Sequence, residues 1–117
     1  MSSNSLGSGD LQVANAIEEL SQRIERGERI FTARNCANCH VPPLYTSADV
    51  YDVGLKDGQG NTRFNPPTLR GVSQRSPYFH DGSAADLDHV FRKSRHQIES
   101  DLSDAELGDL KAFLNSL

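Results

Sequence analysis

Two cysteines and a histidine stand together in the segment Cys36-Ala37-Asn38-Cys39-His40. Thiols three positions apart lie on one side of a helical turn, where both can add to the vinyl groups of one haem. The adjacent histidine can then bind the iron through its imidazole, and C-x-x-C-H is the typical attachment sequence of haem c. We therefore predict one haem c joined covalently to Cys36 and Cys39, with His40 as an iron ligand.

Three other uses of these cysteines compete with haem attachment. A zinc site would need a second Cys/His pair, but the chain has only two cysteines and lacks a suitably spaced pair of histidines downstream. A thioredoxin-like redox pair would need a βαβ context, which the sequence pattern does not indicate. A plain disulfide would leave His40 without a role, so haem attachment is favoured.

The amino-acid composition and net charge indicate which classes of protein this chain could belong to. At 117 residues the chain is long enough for one compact domain, and hydrophobic residues make up 36% of it. A modest core of this kind often depends on a cofactor for stability. The net charge of −4 and the scattered basic residues argue against a nucleic-acid partner. The chain has no apolar run of 18 residues, so we predict no membrane span.

The N-terminal segment is polar and rich in serine and glycine, without the features of a secretion signal. Haem is nevertheless attached to C-x-x-C-H motifs outside the cytoplasm in bacteria. We therefore expect residues 1–10 to be a flexible linker or tag remnant and residues 11–117 to be a cytochrome c domain. The export signal would lie upstream in a larger periplasmic parent protein.

Hydrophobic periodicity predicts helices at both ends of the chain. The first would run over residues 11–35, capped by Asp10, with Gly27 allowing close approach of another helix. Its apolar face would comprise Ile17, Leu20, Ile24 and Phe31. The last would begin at Ser103, with Glu106 completing a capping box, and would pack on Gly27 and Phe31 through Leu110, Phe113 and Leu114.

The middle of the chain reads differently. Most of the prolines and glycines lie in residues 41–82, and this pattern predicts a long irregular segment that packs on the cofactor. A short helix is expected over residues 83–94, starting at Ser83 with Asp86 three residues on as in a capping box. Its apolar stripe would comprise Leu87, Val90 and Phe91. The prediction is an all-α domain of about three to five helices around one haem.

Three further segments carry a resemblance to a known family. They are Phe64-Asn65-Pro66-Pro67-Thr68-Leu69-Arg70-Gly71-Val72, Ser76-Pro77-Tyr78-Phe79-His80-Asp81-Gly82-Ser83, and residues 102–117. Together with the attachment motif they resemble the C-terminal haem domain of bacterial di-haem cytochrome c peroxidases and MauG-type enzymes. The resemblance implies a class I-like cytochrome c fold.

The same resemblance implies roles for residues of the middle segment. Those assigned to haem binding are Pro67, Leu69, Arg70, Tyr78, Phe79 and His80. Arg70 would hydrogen-bond a haem propionate, although a solvated surface arginine is the alternative. Pro66 and Pro67 would stiffen the chain near His40, where a backbone carbonyl could accept from the imidazole. His80 could equally be a structural residue that ties down the turn at Asp81-Gly82.

The sixth iron ligand departs from the family pattern. The relatives place a methionine or a tyrosine at a position that falls near Ser94 here, and the only methionine of this chain is Met1. His96, two residues further, is the best candidate metal ligand, and a vacant or water-occupied face is the rival. His89 is expected to be a surface residue.

The function expected from these features is electron transfer through a single haem c, with a redox partner protein or other domains of the parent chain as partners. The alternative is an enzyme, a cytochrome c peroxidase-like domain that reacts with peroxide at an open iron. A third class, a binding module without haem, would leave the C-x-x-C-H motif idle.

Overall fold

The computed structural model describes residues 7–117, in which two long helices flank an irregular middle segment. The helices are α1 (Ser8–Ala33) and α2 (Asp104–Asn115). Between them lie the 3-10 turns Cys36–Asn38 and Val72–Gln74, the antiparallel strands β1 (Tyr51–Asp52) and β2 (Arg63–Phe64), and a π-helical turn at His89–Lys93. Positions 1–6 of the expected N-terminal linker lie outside the described residues, and residues 8–10 form the first turn of α1.

The two long helices cross at Gly27, as the sequence predicted. A Cβ on Gly27 would lie 2.0 Å from the carbonyl oxygen of Asp109, so only glycine admits this approach. One helical turn further along, the rings of Phe31 and Phe113 pack with their centroids 5.3 Å apart. The crossing therefore fixes the C-terminal end of α1, from which the cysteine motif continues.

The N-terminal half of α1 extends beyond α2. Val13, Ile17 and Leu20 are 60%, 64% and 50% exposed, whereas Ile24 and Phe31 pack into the core. The apolar face predicted for α1 is therefore buried only toward its C-terminal end: Ile17 and Leu20 are exposed, and Leu20 lines an open groove together with Lys111 and Ala112 of α2. The predicted cap was also misplaced, since α1 begins at Ser8 and Asp10 lies in its first turn.

Helix α2 begins as predicted. The Ser103 hydroxyl accepts from the Glu106 amide at 3.1 Å, and the Glu106 carboxylate accepts from the Ser103 amide at 2.9 Å. This capping box satisfies two amides that the first helical turn would leave without partners. Leu110, 1% exposed, lies at the centre of the buried face of α2.

The helix predicted over residues 83–94 is shorter than expected. Ala84 pairs with Tyr78 in an isolated antiparallel bridge, so the chain is still extended there. The Asp86 carboxylate accepts from the His89 amide at 2.8 Å, which makes Asp86 the cap rather than the third residue of a capping box. The π-helical turn that follows is a form often found at functional sites.

The core is one apolar cluster between α1, α2 and the π-helical turn. Its buried members are Phe31, Val72, Ala84, Leu87, Val90, Phe91, Leu102, Leu107, Leu110, Phe113 and Leu114. Throughout residues 7–117, no helix has the length and apolar character needed to cross a membrane.

Candidate haem site

The cysteine motif follows directly on the end of α1. The Arg34 amide still donates to the Ile30 carbonyl at 2.9 Å, but Asn35 turns left-handed, with φ 65°, and ends the helix. Asparagine tolerates this conformation better than most residues with a side chain. The predicted helix therefore stops two residues early, and the motif begins on a 3-10 turn of its own.

The motif turn is closed by backbone hydrogen bonds. The amides of Cys39 and His40 both donate to the Cys36 carbonyl, at 3.3 and 3.0 Å. Both cysteines are half-buried free thiols, and desolvation raises the pKa of each above its ordinary value. A thioredoxin-like nucleophile needs a lowered thiol pKa, so these cysteines do not match that use.

The imidazole of His40 is oriented by a backbone carbonyl. Its Nδ1 lies 3.2 Å from the carbonyl oxygen of Tyr45, which can only accept, so Nδ1 carries the proton and Nε2 presents its lone pair. Burial lowers the pKa of His40, while the hydrogen bonds to the Tyr45 and Pro67 carbonyls partly raise it again. A histidine held in this way is prepared to bind a metal through Nε2.

Tyr45 is the functional residue that sequence reasoning missed. Its backbone is left-handed, with φ 57°, and its ring packs edge-on against Phe31 and Phe113 at 5.8 and 6.1 Å. The ring anchors the residue in the core, so its carbonyl stays beside His40. A single tyrosine in a proline-rich segment gives no signal of this role.

The segment 65–69 braces the chain around Tyr45. The Asn65 amide group donates to the carbonyls of Ser47 and Asp49 at 2.6 and 2.9 Å. The Leu69 amide donates to the Tyr45 carbonyl at 3.3 Å. Two hydroxyl groups add further hydrogen bonds: Thr46 donates to the Pro66 carbonyl, and Thr68 donates to the Leu44 carbonyl. Part of this family motif thus holds the loop that orients His40.

His96 lines a cavity that none of Cys36, Cys39 and His40 lines. Its half-buried imidazole packs against Phe79 with ring centroids 5.5 Å apart, beside this cavity of about 300 Å³, which Val53, Leu55 and Glu99 also line. The pKa of His96 is lowered to about 4, first by desolvation and second by repulsion from His40. His40 therefore lies close enough to His96 to contribute to the lowering of its pKa.

The other predicted site residues divide into two groups. Leu69, Tyr78 and Phe79 are half-buried and pack against the core, and the Tyr78 hydroxyl donates to the Val72 carbonyl at 2.8 Å. Pro67 is exposed, and its carbonyl is one of the two that raise the pKa of His40. Arg70 and His80 lie further out.

Arg70 and His80 contact protein residues outside the cysteine motif. Arg70 is exposed, and its guanidinium makes one long hydrogen bond, 3.5 Å, to the Pro43 carbonyl. The His80 ring stacks on Phe64 of β2 with centroids 4.8 Å apart and lies 4.0 Å from the Asp81 carboxylate. These contacts place His80 against β2 and beside the Asp81-Gly82 turn, and a role of His80 in haem binding stays a prediction.

The residues present fit a covalently bound haem. Two thiols and one imidazole with a free Nε2 share a turn, and the apolar side chains around them are only partly buried, so an apolar macrocycle would complete the wall. Among residues 7–117, no group of three histidine, cysteine or acidic side chains could hold a metal ion. The donor set of the motif, two thiols and one imidazole, matches haem c.

Comparison with known proteins identifies the class. Residues 24–117 match the family described as Cytochrome c, and the chain belongs to that family. The haem c cofactor and the all-α, class I-like cytochrome fold predicted from the sequence are confirmed.

The similar proteins are those that the motif resemblance indicated. Methylamine utilization protein MauG of Methylophilus methylotrophus is 32% identical, over 92% of this chain and 40% of that protein. Cytochrome c551 peroxidase of Nitrosomonas europaea is 29% identical, over 84% of this chain and 35% of that protein. A crystal structure of a MauG-like protein associated with microbial copper homeostasis has a TM-score of 0.60 at 22% identity, covering 81% of this chain and 46% of the other, and shows the common fold. This chain therefore spans less than half the length of these relatives.

Proposed function

We propose that this domain transfers single electrons through one haem c bound by Cys36, Cys39 and His40. The observation that carries the proposal is the hydrogen bond from His40 Nδ1 to the Tyr45 carbonyl, which leaves Nε2 free for iron. The haem supplies a one-electron iron couple whose potential depends on its axial ligands, burial and hydrogen bonding. The chain's own part is to orient the imidazole, surround it with apolar side chains and keep water out.

His96 would be the second histidine that binds the iron. Its imidazole is half-buried, lines the cavity beside Phe79 and is electrostatically coupled to His40. The lowered pKa keeps it neutral, which is the form that binds metal. Two imidazoles favour the oxidised state relative to a histidine–methionine pair, so the potential should be lower than in cytochromes of the latter kind.

The domain is proposed to work inside a larger periplasmic redox protein. The relatives are more than twice as long as the part that this chain matches, and attachment of haem to C-x-x-C-H takes place outside the cytoplasm in bacteria. Other domains of such a parent chain, or a separate redox protein, would exchange electrons with this domain.

A peroxide-reacting domain is the second candidate. Two of the similar proteins are named as peroxidases, and Glu99 lines the cavity that His96 faces. Cleavage of peroxide needs an acid–base group over an open iron, and either Glu99 or an unligated His96 could supply it. The state of His96 therefore decides between the two functions.

The test compares His96→Ala with His89→Ala in the oxidised holoprotein. We expect the parent and His89→Ala to be low-spin, to lack a methionine–iron absorption band and to bind cyanide slowly. His96→Ala should be high-spin and bind cyanide quickly, because the ligand has been removed. A parent protein that is already high-spin and binds cyanide quickly would overturn the assignment of His96 and favour the peroxide-reacting function.

A further inference from the structure

The backbone on both sides of His96 is unusual. Arg95 and Gln97 are left-handed, with φ 50° and 55°, although neither is glycine. A Cβ comes too close to the following carbonyl oxygen in this conformation, so residues other than glycine avoid it. Such a backbone persists only where surrounding contacts hold it in place. The segment 95–97, called here the His96 loop, must therefore be held by its neighbours.

Backbone hydrogen bonds hold one end of the loop. The His96 amide donates to the Val90 carbonyl at 3.0 Å, and the Ser94 amide donates to the His89 carbonyl at 2.9 Å. Both acceptors belong to the π-helical turn, and Val90 is buried in the core. These bonds fix where the loop begins, and the Ile98 amide donates to the Arg95 carbonyl at 3.1 Å, so one backbone hydrogen bond also spans the loop.

The side chain of Arg95 holds the other end. Its guanidinium forms an ion pair with Asp101 and donates to the Ile98 carbonyl at 3.4 Å. Asp101 immediately precedes Leu102, which is buried against the core. The hydrogen bond from Arg95 is also the main reason why the pKa of Asp101 is lowered. The pair thus closes the loop onto a fixed point of the fold.

We propose that the Arg95–Asp101 ion pair is a clamp that keeps the His96 loop left-handed, so that the imidazole of His96 stays in the cavity. Arg95 and Asp101 are then positioning residues, and the inference rests on the axial role assigned to His96 above. When the clamp opens, Arg95 and Gln97 can return to right-handed backbone and His96 leaves the cavity. The clamp therefore limits how often small ligands reach the iron.

The test uses the oxidised holoprotein and the variant Asp101→Asn. Removing the charge should raise the rate of cyanide binding about 1.5- to fivefold, the range in which one exposed ion pair acts. It should also speed exchange of the amide hydrogens of His96 and Ile98, a readout that does not depend on the iron. Asp101→Glu, which keeps the charge, should restore most of the parent behaviour.

Asp104→Asn is the matched control. It removes the ion pair between Asp104 and Arg92, 2.7 Å long, outside the His96 loop, and should leave cyanide binding and loop exchange unchanged. Gln97→Gly placed in the Asp101→Asn background should partly slow cyanide binding again, because glycine accepts the left-handed backbone.

The outcomes separate the clamp from the ligand assignment. A low-spin parent whose Asp101→Asn variant keeps parental cyanide binding and parental amide exchange overturns the clamp and leaves His96 as the ligand. An Asp104→Asn variant that binds cyanide as fast as Asp101→Asn also overturns the clamp, since the effect would not be specific to the Arg95–Asp101 pair. A parent that is high-spin overturns the ligand assignment and this inference together.

Discussion

The backbone of Asp109 passes over Gly27 so closely that a Cβ on Gly27 would lie 2.0 Å from the Asp109 carbonyl oxygen and 2.7 Å from the Phe113 Cβ. This contact joins α1 to α2 two turns before the cysteine motif. The haem attachment turn is therefore positioned by a helix crossing that tolerates no side chain at one residue.

Gly27→Ala should destabilise the protein strongly. The added methyl group cannot be accommodated without moving α1 away from α2, and overpacking of this kind costs about 1–3 kcal/mol. Gly9→Ala is the matched control in the same helix, because its Cβ would meet nothing within 4 Å. Denaturant unfolding of both holoproteins is the measurement. Equal stability of Gly27→Ala and the parent would mean that the crossing is not as close as described.

The ion pair at the same crossing predicts a pH dependence. Arg26 and Arg23 lie 2.9 and 3.6 Å from the Asp109 carboxylate, which is 13% exposed, and the hydrogen bond from Arg26 is the main cause of its lowered pKa. A carboxyl whose pKa is lower in the folded state stabilises the protein above its ordinary pKa, near 3.8, and this contribution is lost as the pH falls further.

Asp109→Asn should therefore lower the free energy of unfolding at neutral pH by about 1 kcal/mol and flatten its decline below about pH 4. Asp88→Asn, which removes a more exposed pair with Lys111, is the control and should change the acid limb less. Unfolding curves across the acid range provide the comparison. If the free energy of unfolding declined identically below about pH 4 in Asp109→Asn and in the parent, the ion pair of Asp109 would not contribute to stability.

Arg70 tests the propionate contact that the family resemblance implies. If its exposed guanidinium pairs with a propionate, Arg70→Ala should shift the midpoint potential to more negative values, because an unpaired carboxylate favours oxidised iron. Arg70→Lys should recover only part of the shift, since lysine cannot make the two-pronged contact. Redox titration of the three proteins is the measurement. A potential unchanged in Arg70→Ala would leave Arg70 as a surface residue that contacts only the Pro43 carbonyl.

Local sequence signals succeeded where neighbouring residues determine the structure. The C-x-x-C-H motif, the capping box of Ser103 and Glu106, and the close approach at Gly27 each depend on a fixed spacing or on one residue's size. The motif resemblance likewise identified the family, because it rests on three separate segments of the chain.

The features that were missed depend on contacts distant in sequence. Ile17 and Leu20 have helical apolar spacing, but whether they are buried depends on where α2 ends. Asp86 could either cap a turn or complete a capping box, and the pairing of Ala84 with Tyr78 decided between them. The role of the Tyr45 carbonyl and the left-handed backbone around His96 have no counterpart in the periodicity of the chain.

The central claim is that Cys36 and Cys39 bind one haem covalently with His40 on the iron. Protein produced together with a haem-attachment system should be analysed by intact mass after acid–acetone extraction. Covalent attachment predicts that the colour stays with the protein, that its mass exceeds the apoprotein by one haem, and that the Cys36→Ser/Cys39→Ser variant loses its haem to the solvent. Colour that is extracted from the parent, or a double variant that keeps its haem, would show that the haem is not bound through these cysteines.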